Sequence, residues 1–432
     1  MYKQGTAPDL FNASRSQLLL QAVAQWLIVA GVFTIPLLGT AAHNLLFGFA
    51  LLFGLCSFSL RYWLNTLSAY PALAIGLTLF AWLGLSSLWG LVSVTEGLSF
   101  LAKYRELLLI PVFVMLLKQR PNIRDAAASV LYASLLLSLI ASYLIHFDWV
   151  DWTENEHSLK NRIFHGVSMS LFAYLTLRLA LSERVFSHLS YRYLAWGIFL
   201  LTAFSVFFIE NGRTGYVCFL GICSFALLER LGFKKALGLV FAALVVLIGL
   251  LVLFGADHIR VLSGHEHLVL PEGAALAEQL QVADIRLEYW VVSCLAFFDH
   301  WILGYGVGSF EQAYQQVHSS LITYWEPTRN AHNEILMIGM QSGVVGILLY
   351  LGFIFSTAFY RSKDMGIRAE CAWMKSGVPI AGLVFVAGLF NSSIMDHGDG
   401  ILFASALSLM FAGARMPAFI FVAGTKPPTA DN

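Results

Sequence analysis

Charged residues are scarce in this sequence. Asp, Glu, Lys and Arg make up 12% of its 432 residues, whereas 58% are hydrophobic. A mean hydropathy of +0.72 lies outside the range of soluble globular domains and is typical of polytopic membrane proteins. Positive and negative charges balance to a formal net charge of zero, so the composition indicates no nucleic-acid partner.

Cysteines and motifs for metal or serine chemistry are also scarce. The five cysteines are scattered and form no C-x-x-C pair, which favours small buried hydrophobes over a metal site. No HExxH, DxD or GxSxG motif occurs. The glycines of Gly304–Phe310 imitate part of a nucleotide fingerprint, but position 309 is serine and no βαβ unit surrounds them, so we predict a tight loop.

Long apolar runs dominate the chain. A membrane-spanning helix needs about 20 apolar residues, and the sequence predicts about twelve such spans in a single integral membrane domain, 1–432. We expect an all-α polytopic protein with spans at 18–38, 42–60, 71–91, 98–117, 126–147, 163–182, 191–209, 214–229, 235–255, 332–360, 376–394 and 400–421.

Lysine and arginine are distributed unevenly between the two sides of the predicted spans. Most fall on the connections that share a side with both termini, which predicts that the termini are cytoplasmic. The long connection 256–331, between spans 9 and 10, is then on the outer side. Within it, 279–298 reads as an amphipathic helix carrying Arg286 and Trp290 four residues apart, and a second short helix follows near 311–320.

A few cations do not follow this sorting and fall on the outer side: Lys103, Arg105, Lys160, Arg162, Arg213, Arg260, Arg286 and Arg329. An anionic ligand on the outer face accounts for them. For Lys160, Arg162 and Arg260 we favour pairing with nearby acidic loops.

Arg213, Lys103 and Arg105 are the strongest candidates among these cations. Arg213 follows Gly212 in a turn that lets the backbone approach a ligand, and a guanidinium binds phosphate through two hydrogen bonds. The alternative is an arginine that reaches lipid headgroups. Lys103 and Arg105 would lie about 9–12 Å inside a span, where charges usually face a cavity or a partner. Glu106 can neutralise only one of the two.

His332 is the candidate catalytic residue. It stands where the polar segment Arg329-Asn330-Ala331-His332-Asn333 meets an apolar run in which Gly339, Gly343 and Gly346 fall on one helical face. We expect a smooth glycine groove for a packing helix. The alternative is a polar cluster that only caps an ordinary helix, through Asn330 or Asn333. The other histidines have no comparable surroundings, and 396–399 (DHGD) reads as a polar turn.

The histidine segment resembles a known motif. His332-Asn333, nine residues, Gly343, two residues and Gly346 match the pattern of the O-antigen ligase and polymerase superfamily. Arg213, Arg286 and the glycine loop before the histidine are also similar to that family.

The resemblance implies a metal-independent, cofactor-free glycosyltransferase of GT-C-like fold in the bacterial inner membrane, with a periplasmic active site partly on 256–331. It would move a glycan from undecaprenyl diphosphate to a lipid A–core sugar with inversion. His332 corresponds to the family's essential histidine, and Arg213 and Arg286 to its phosphate-contacting arginines. Burial adds Lys103 and Arg105 to the diphosphate site, with Asn330, Asn333, Arg329 and Trp290 as supporting residues.

Other functions remain open at this point. An O-antigen polymerase would use another lipid-linked glycan as acceptor, and a protein O-oligosaccharyltransferase would use a protein. A secondary transporter also explains many spans with buried charge, although the paired halves with interrupted helices that transporters show are not visible here.

Overall fold

The computed structural model describes residues 14–152, 158–182, 189–210, 212–232, 234–242, 285–321, 326–362 and 372–415. Throughout these residues the regular structure is helical, and the β-type pairings are two isolated bridges, Arg361–Ser376 and Ala372–Arg415. The prediction of an all-helical polytopic membrane protein is confirmed.

The helices are numbered here in chain order. They are α1 (Arg15–Thr34), α2 (Thr40–Leu55), α3 (Leu60–Ala69), α4 (Pro71–Ser86), α5 (Val94–Leu101), α6 (Glu106–Gln119), α7 (Pro121–His146), α8 (Arg162–Leu181), α9 (Leu189–Phe204), α10 (Arg213–Leu231), α11 (Ile285–Asp299), α12 (Phe310–His318), α13 (Glu334–Ala358), α14 (Val378–Phe390) and α15 (Asp399–Ala412).

Fewer helices qualify as membrane spans than the twelve predicted. In the described part of the chain, 7 helices are long and apolar enough to cross a bilayer: α1, α4 with its 3-10 turn, α7, α8, α9 with its π-helical end, α10 and α13. Helices α2 and α3 make an eighth only as a pair bent by 111°. Helices α14 and α15 are apolar but have 13 and 14 residues. Residues 243–255 of the predicted span 235–255 lie outside the described part of the chain.

The predicted continuous span at 98–117 is wrong. Helix α5 ends at Leu101, a 3-10 turn covers Ala102–Tyr104, and α6 begins at Glu106. Lys103 and Arg105 therefore lie at the entrance to α6, where the Arg105 side chain is still 28% exposed. The break removes the large cost of holding two charges deep within a continuous membrane helix.

Helices α6, α8 and α15 lie in the interior of the bundle. Every residue of α15 is buried, as are nearly all of α6 from Glu106 to Leu117. In α8, 89% of the most apolar 18-residue stretch is buried inside the bundle. A helix that is apolar on every side packs among other helices, so α6, α8 and α15 form a core around which the longer spans pack.

Two of the cations predicted to be cytoplasmic, Arg124 and Arg178, lie at one end of this bundle. Arg124 donates a 3.1 Å hydrogen bond to the carbonyl of Ala412 at the end of α15, and Arg178 donates one of 2.9 Å to Trp373, just before α14. Positive charge at helix C-termini is favourable because the last carbonyls have no helical partner. The opposite end contains the connection from α14 to α15 and the beginning of α13.

Helix α13 is broken at Gly343, where φ is 67° and ψ is −166°. The loop 301–308 packs into the break, and the amide of Val344 donates to the carbonyl of Trp301 at 2.8 Å. A Cβ at position 343 would lie 2.1 Å from the carbonyl oxygen of Ile302, so only glycine fits. The expected smooth groove for a helix is therefore replaced at Gly343 by a gap that accepts a loop.

The predicted glycine loop is present. Gly304, Gly306 and Gly308 all have positive φ, between 69° and 89°, and the amide of Gly308 donates to Oε1 of Gln341 on α13 at 3.0 Å. The two predicted outer-segment helices are also confirmed as α11 and α12, although 279–284 lie outside the described residues.

Candidate active site

His332 lies immediately before α13 in a left-handed conformation, with φ of 49°. Such a backbone is uncommon for a residue with a side chain and persists when its surroundings hold it in place. Here the amide of His332 donates a 2.8 Å hydrogen bond to Oδ1 of Asn330. The same Oδ1 accepts a 2.6 Å bond from the hydroxyl of Ser392. Asn330 thus fixes the histidine backbone and ties it to the connection between α14 and α15.

The two residues after His332 join α13 to that same connection. Asn333 is the N-cap, with Oδ1 accepting from the amide of Leu336 at 3.1 Å, and its Nδ2 donates to the carbonyl of Leu389. Glu334 is fully buried, and its Oε2 accepts a 2.8 Å bond from the amide of Ile394. The predicted capping role of Asn333 is confirmed.

The imidazole of His332 lies between an aromatic ring and a cation. The ring of Tyr289 on α11 stacks on it at 6.0 Å between centroids and 18° between planes. Burial and the positive charge of Arg286 lower the pKa of His332 below its ordinary value of 6.5, while a hydrogen bond that the ring donates to the Asn391 side chain opposes this. The imidazole is therefore neutral at pH 7 and can accept a proton.

One ring nitrogen remains for a substrate. Nδ1 of His332 is buried and has no hydrogen-bond partner among the described residues. Buried polar atoms are normally satisfied, so an unsatisfied one at such a place calls for an explanation. A substrate hydroxyl would supply the missing hydrogen bond and, in the reaction, the proton.

The residues 391–399 (NSSIMDHGD) are the part of the site that the sequence did not reveal. The Asn391 side chain is within hydrogen-bonding reach of both His332 and the buried Asp399, and the hydroxyl of Ser393 donates to Asp399 at 3.4 Å. The local signal was a dense run of polar residues between two apolar helices, which we interpreted as a turn only for 396–399.

Arg286 and Arg213 are placed differently with respect to His332. Arg286 is on the first turn of α11 and acts electrostatically on the histidine. Arg213 is the first residue of α10 and is exposed. That helix leads to Cys218, which is within electrostatic reach of Asp399. Arg213 is not among the groups that act on His332 in the described part of the chain, so its place in the site stays a prediction.

Lys103 and Arg105 gather around a second histidine, His397. Nη2 of Arg105 contacts Nδ1 of His397 at 3.2 Å and donates to Oδ1 of Asn44 at 2.7 Å. Burial, Arg105 and Lys103 lower the pKa of His397, and Asp396 opposes them. The interpretation that His397 has no surroundings comparable to those of His332 is wrong, because its cations come from a segment about 290 residues earlier.

Two of the predicted supporting residues have other roles in the structure. Arg329 is 84% exposed and donates a 3.0 Å hydrogen bond to Oε1 of Glu311, forming a surface ion pair. Trp290 packs its ring 6.4 Å from that of Phe390, at the end of α14. Its indole nitrogen is buried and has no hydrogen-bond partner in the described part of the chain.

Comparison with protein-family models finds a match for the part of the chain that contains His332. Residues 197–351 match the family model described as O-Antigen ligase, which confirms the resemblance carried by the histidine motif. Comparison with curated proteins finds no match. The matched residues contain Arg213, Arg286 and His332, whereas Lys103 and Arg105 lie outside them.

Proposed function

We propose that this chain, which matches the O-Antigen ligase family model at residues 197–351, moves a glycan from undecaprenyl diphosphate to a sugar of lipid A–core. The observation that carries the proposal is the partly buried His332, held by Asn330 and stacked on Tyr289 within the matched residues, whose pKa burial and Arg286 lower. A proton acceptor next to a phosphate-binding cation is what transfer from a lipid diphosphate to a hydroxyl requires.

In the proposed mechanism His332 is the general base. A sugar hydroxyl is a weak nucleophile until its proton is removed during attack, and a neutral imidazole removes it at neutral pH. Asn330 and Asn391 are positioning residues: the first holds the histidine backbone, and the second supports the ring. The attack displaces the diphosphate in one step, so the configuration at the anomeric carbon inverts.

The diphosphate leaves as an anion, and the arginines stabilise its developing charge. Guanidinium groups bind phosphate oxygens in pairs, and such fixed charges act strongly where water is excluded. Arg286 and Arg213 have this role in the proposal. Arg213 begins α10, so its guanidinium also stands at the positive end of the helix dipole.

The protein is a multi-pass membrane protein. We place it in the inner membrane with both termini cytoplasmic, and the candidate site on the periplasmic side with part of it on 256–331. Arg124 and Arg178, which were predicted to be cytoplasmic, lie at the opposite end of the bundle from His332. Their position supports this orientation.

The proposal predicts a pH dependence for Arg286→Gln. Neutral His332 is the active form, so the rate falls as pH drops through its pKa. Arg286 lowers that pKa, and removing its charge should move the acid limb of kcat/KM to higher pH, besides slowing transfer. Arg329→Gln removes an exposed guanidinium from the same segment and should leave the limb unchanged. If the acid limb of the kcat/KM profile stays at the same pH in Arg286→Gln, the titration of His332 does not determine that limb.

The function is tested by reconstituted transfer. The purified protein is mixed with undecaprenyl-diphosphate glycan and one of three acceptors: lipid A–core, a second lipid-linked glycan or a peptide. We expect product with lipid A–core. Product only with lipid-linked glycan would identify a polymerase, and product only with peptide a protein oligosaccharyltransferase. Glycolipid movement across vesicles without any transfer would identify a transporter.

A further inference from the structure

A group of basic side chains lies at the site end of the bundle but around His397 instead of His332. We call it the His397 cation cluster, and its members are His43, Lys103, Arg105, Lys160 and His397. The positive charges of Lys103 and Arg105 act electrostatically on His397. Lys160, Arg105 and His397 act in the same way on His43. Four segments that are distant in the sequence thus bring their positive charge to one place.

Neutral groups make most of the contacts that hold this cluster. Arg105 bonds to Oδ1 of Asn44 and to His397, and its nearest carboxylate oxygen, on Glu106, is 3.8 Å away. Nζ of Lys103 lies 4.5 Å from the centre of the Phe100 ring. An aromatic ring attracts an ammonium group but does not neutralise it.

The remaining members reach the cluster from other elements. Nζ of Lys160 donates to the carbonyl of Leu38, between α1 and α2. His43 is completely buried on the first turn of α2. Among the described residues, the acidic groups that act on members of the cluster are Glu106 and Asp396, and the permanent cations are Lys103, Arg105 and Lys160.

The cluster is separate from the groups that act on the catalytic candidate. His332 responds to Arg286 and Asn391, whereas His397 responds to Arg105, Asp396 and Lys103. All members of the His397 cation cluster also lie outside residues 197–351. In the proposed mechanism the donor diphosphate lies at the reacting carbon beside His332 and Arg286, which leaves the cations around His397 for a second anion.

We propose that the His397 cation cluster binds a phosphate group of the acceptor lipid. Ammonium, guanidinium and imidazole groups together offer the several N–H donors that a phosphate accepts. The inference rests on the proposed transfer to a lipid-linked acceptor. Lipid A–core and a second lipid diphosphate both carry phosphate, so the experiment must separate these two sources.

The kinetic test uses Lys103→Gln and Arg105→Gln in the full-length protein. We expect each to raise KM for phosphorylated lipid A–core by about tenfold, the loss typical of a hydrogen bond to a charged group, and to leave KM for the donor glycan unchanged. With acceptor treated by phosphatase, variants and wild type should have the same KM. A rise in donor KM instead would assign the cluster to the leaving diphosphate and overturn the proposal.

Lys118→Gln is the matched control. Lys118 also lies over an aromatic ring, 4.7 Å from the centre of Tyr70, but at the other end of the bundle. Its loss should leave acceptor KM unchanged. An equal rise in Lys118→Gln would mean that the effect follows general loss of positive charge, which contradicts a specific site.

A binding measurement tests the proposed phosphate site independently of glycan transfer. Native mass spectrometry of the detergent-solubilised protein compares lipid A–core, its phosphatase-treated form and undecaprenyl-diphosphate glycan. Wild type should hold the phosphorylated core more tightly than the treated form, and Lys103→Gln should lose that difference. If transfer fails but this difference is present, the proposed function is wrong and the anion site stands. If only the undecaprenyl-diphosphate glycan shows the effect, the site serves a lipid diphosphate. No difference for any lipid overturns the site.

Discussion

Replacing His332 with alanine should reduce glycan transfer by about 10²–10⁴-fold, the usual contribution of a general base. The acceptor hydroxyl then has no group to take its proton, and none of the described neighbours replaces it. Tyr289, which stacks on the ring, and Asn391, which bonds to it, are not bases at neutral pH. The measurement is kcat for transfer with purified lipids, with both substrates saturating.

A loss of folding would imitate this result, so a second histidine variant is needed. His300 is exposed at the end of α11 on the same outer segment, and His300→Ala should transfer glycan at close to the wild-type rate. Both variants should elute as the wild type does in size-exclusion chromatography. Near-normal transfer by His332→Ala would remove the imidazole from the chemistry.

Replacing Arg213 with lysine should remove most of the turnover, by about 10-fold to 100-fold. Lysine keeps the positive charge but offers a single ammonium group in place of two parallel N–H donors. Hydrogen bonds to charged groups contribute about 1.5–3 kcal/mol, and the loss should fall on kcat because the phosphate charge grows in the transition state. The measurement is kcat and donor KM at saturating acceptor.

Arg61→Lys provides the control for this change. Arg61 is an exposed arginine on α3, and the same substitution there should not alter kcat. Arg213 is exposed at the beginning of α10, so lysine is expected to fold normally at both positions. Full activity in Arg213→Lys would exclude Arg213 from the site.

Local chemistry made much of this architecture predictable. Apolar length identified the seven long spans among the described residues, amphipathic spacing identified α11 and α12, and the polar residues before α13 identified its cap at Asn333. These features depend on residues within a few positions of one another. The glycine loop 304–308 was predictable for the same reason, because glycine readily adopts the positive φ that a tight loop requires.

The features that the sequence did not reveal depend on contacts between distant segments. The break at Gly343 exists because the carbonyl of Ile302 approaches it, and an apolar helical pattern contains no sign of that approach. The 391–399 connection joins the site because Ser392 bonds to Asn330, 62 positions away. The break at 102–104 was hidden because mean hydropathy is insensitive to a short 3-10 turn.

The stereochemistry of the product tests the central claim most directly. Wild-type protein is given undecaprenyl-diphosphate glycan of defined anomeric configuration and an acceptor, and the new glycosidic bond is examined by NMR. Direct displacement assisted by His332 predicts an inverted anomeric carbon and no glycan attached to the protein. A retained configuration, or a covalent glycosyl-enzyme trapped during turnover, would contradict the mechanism.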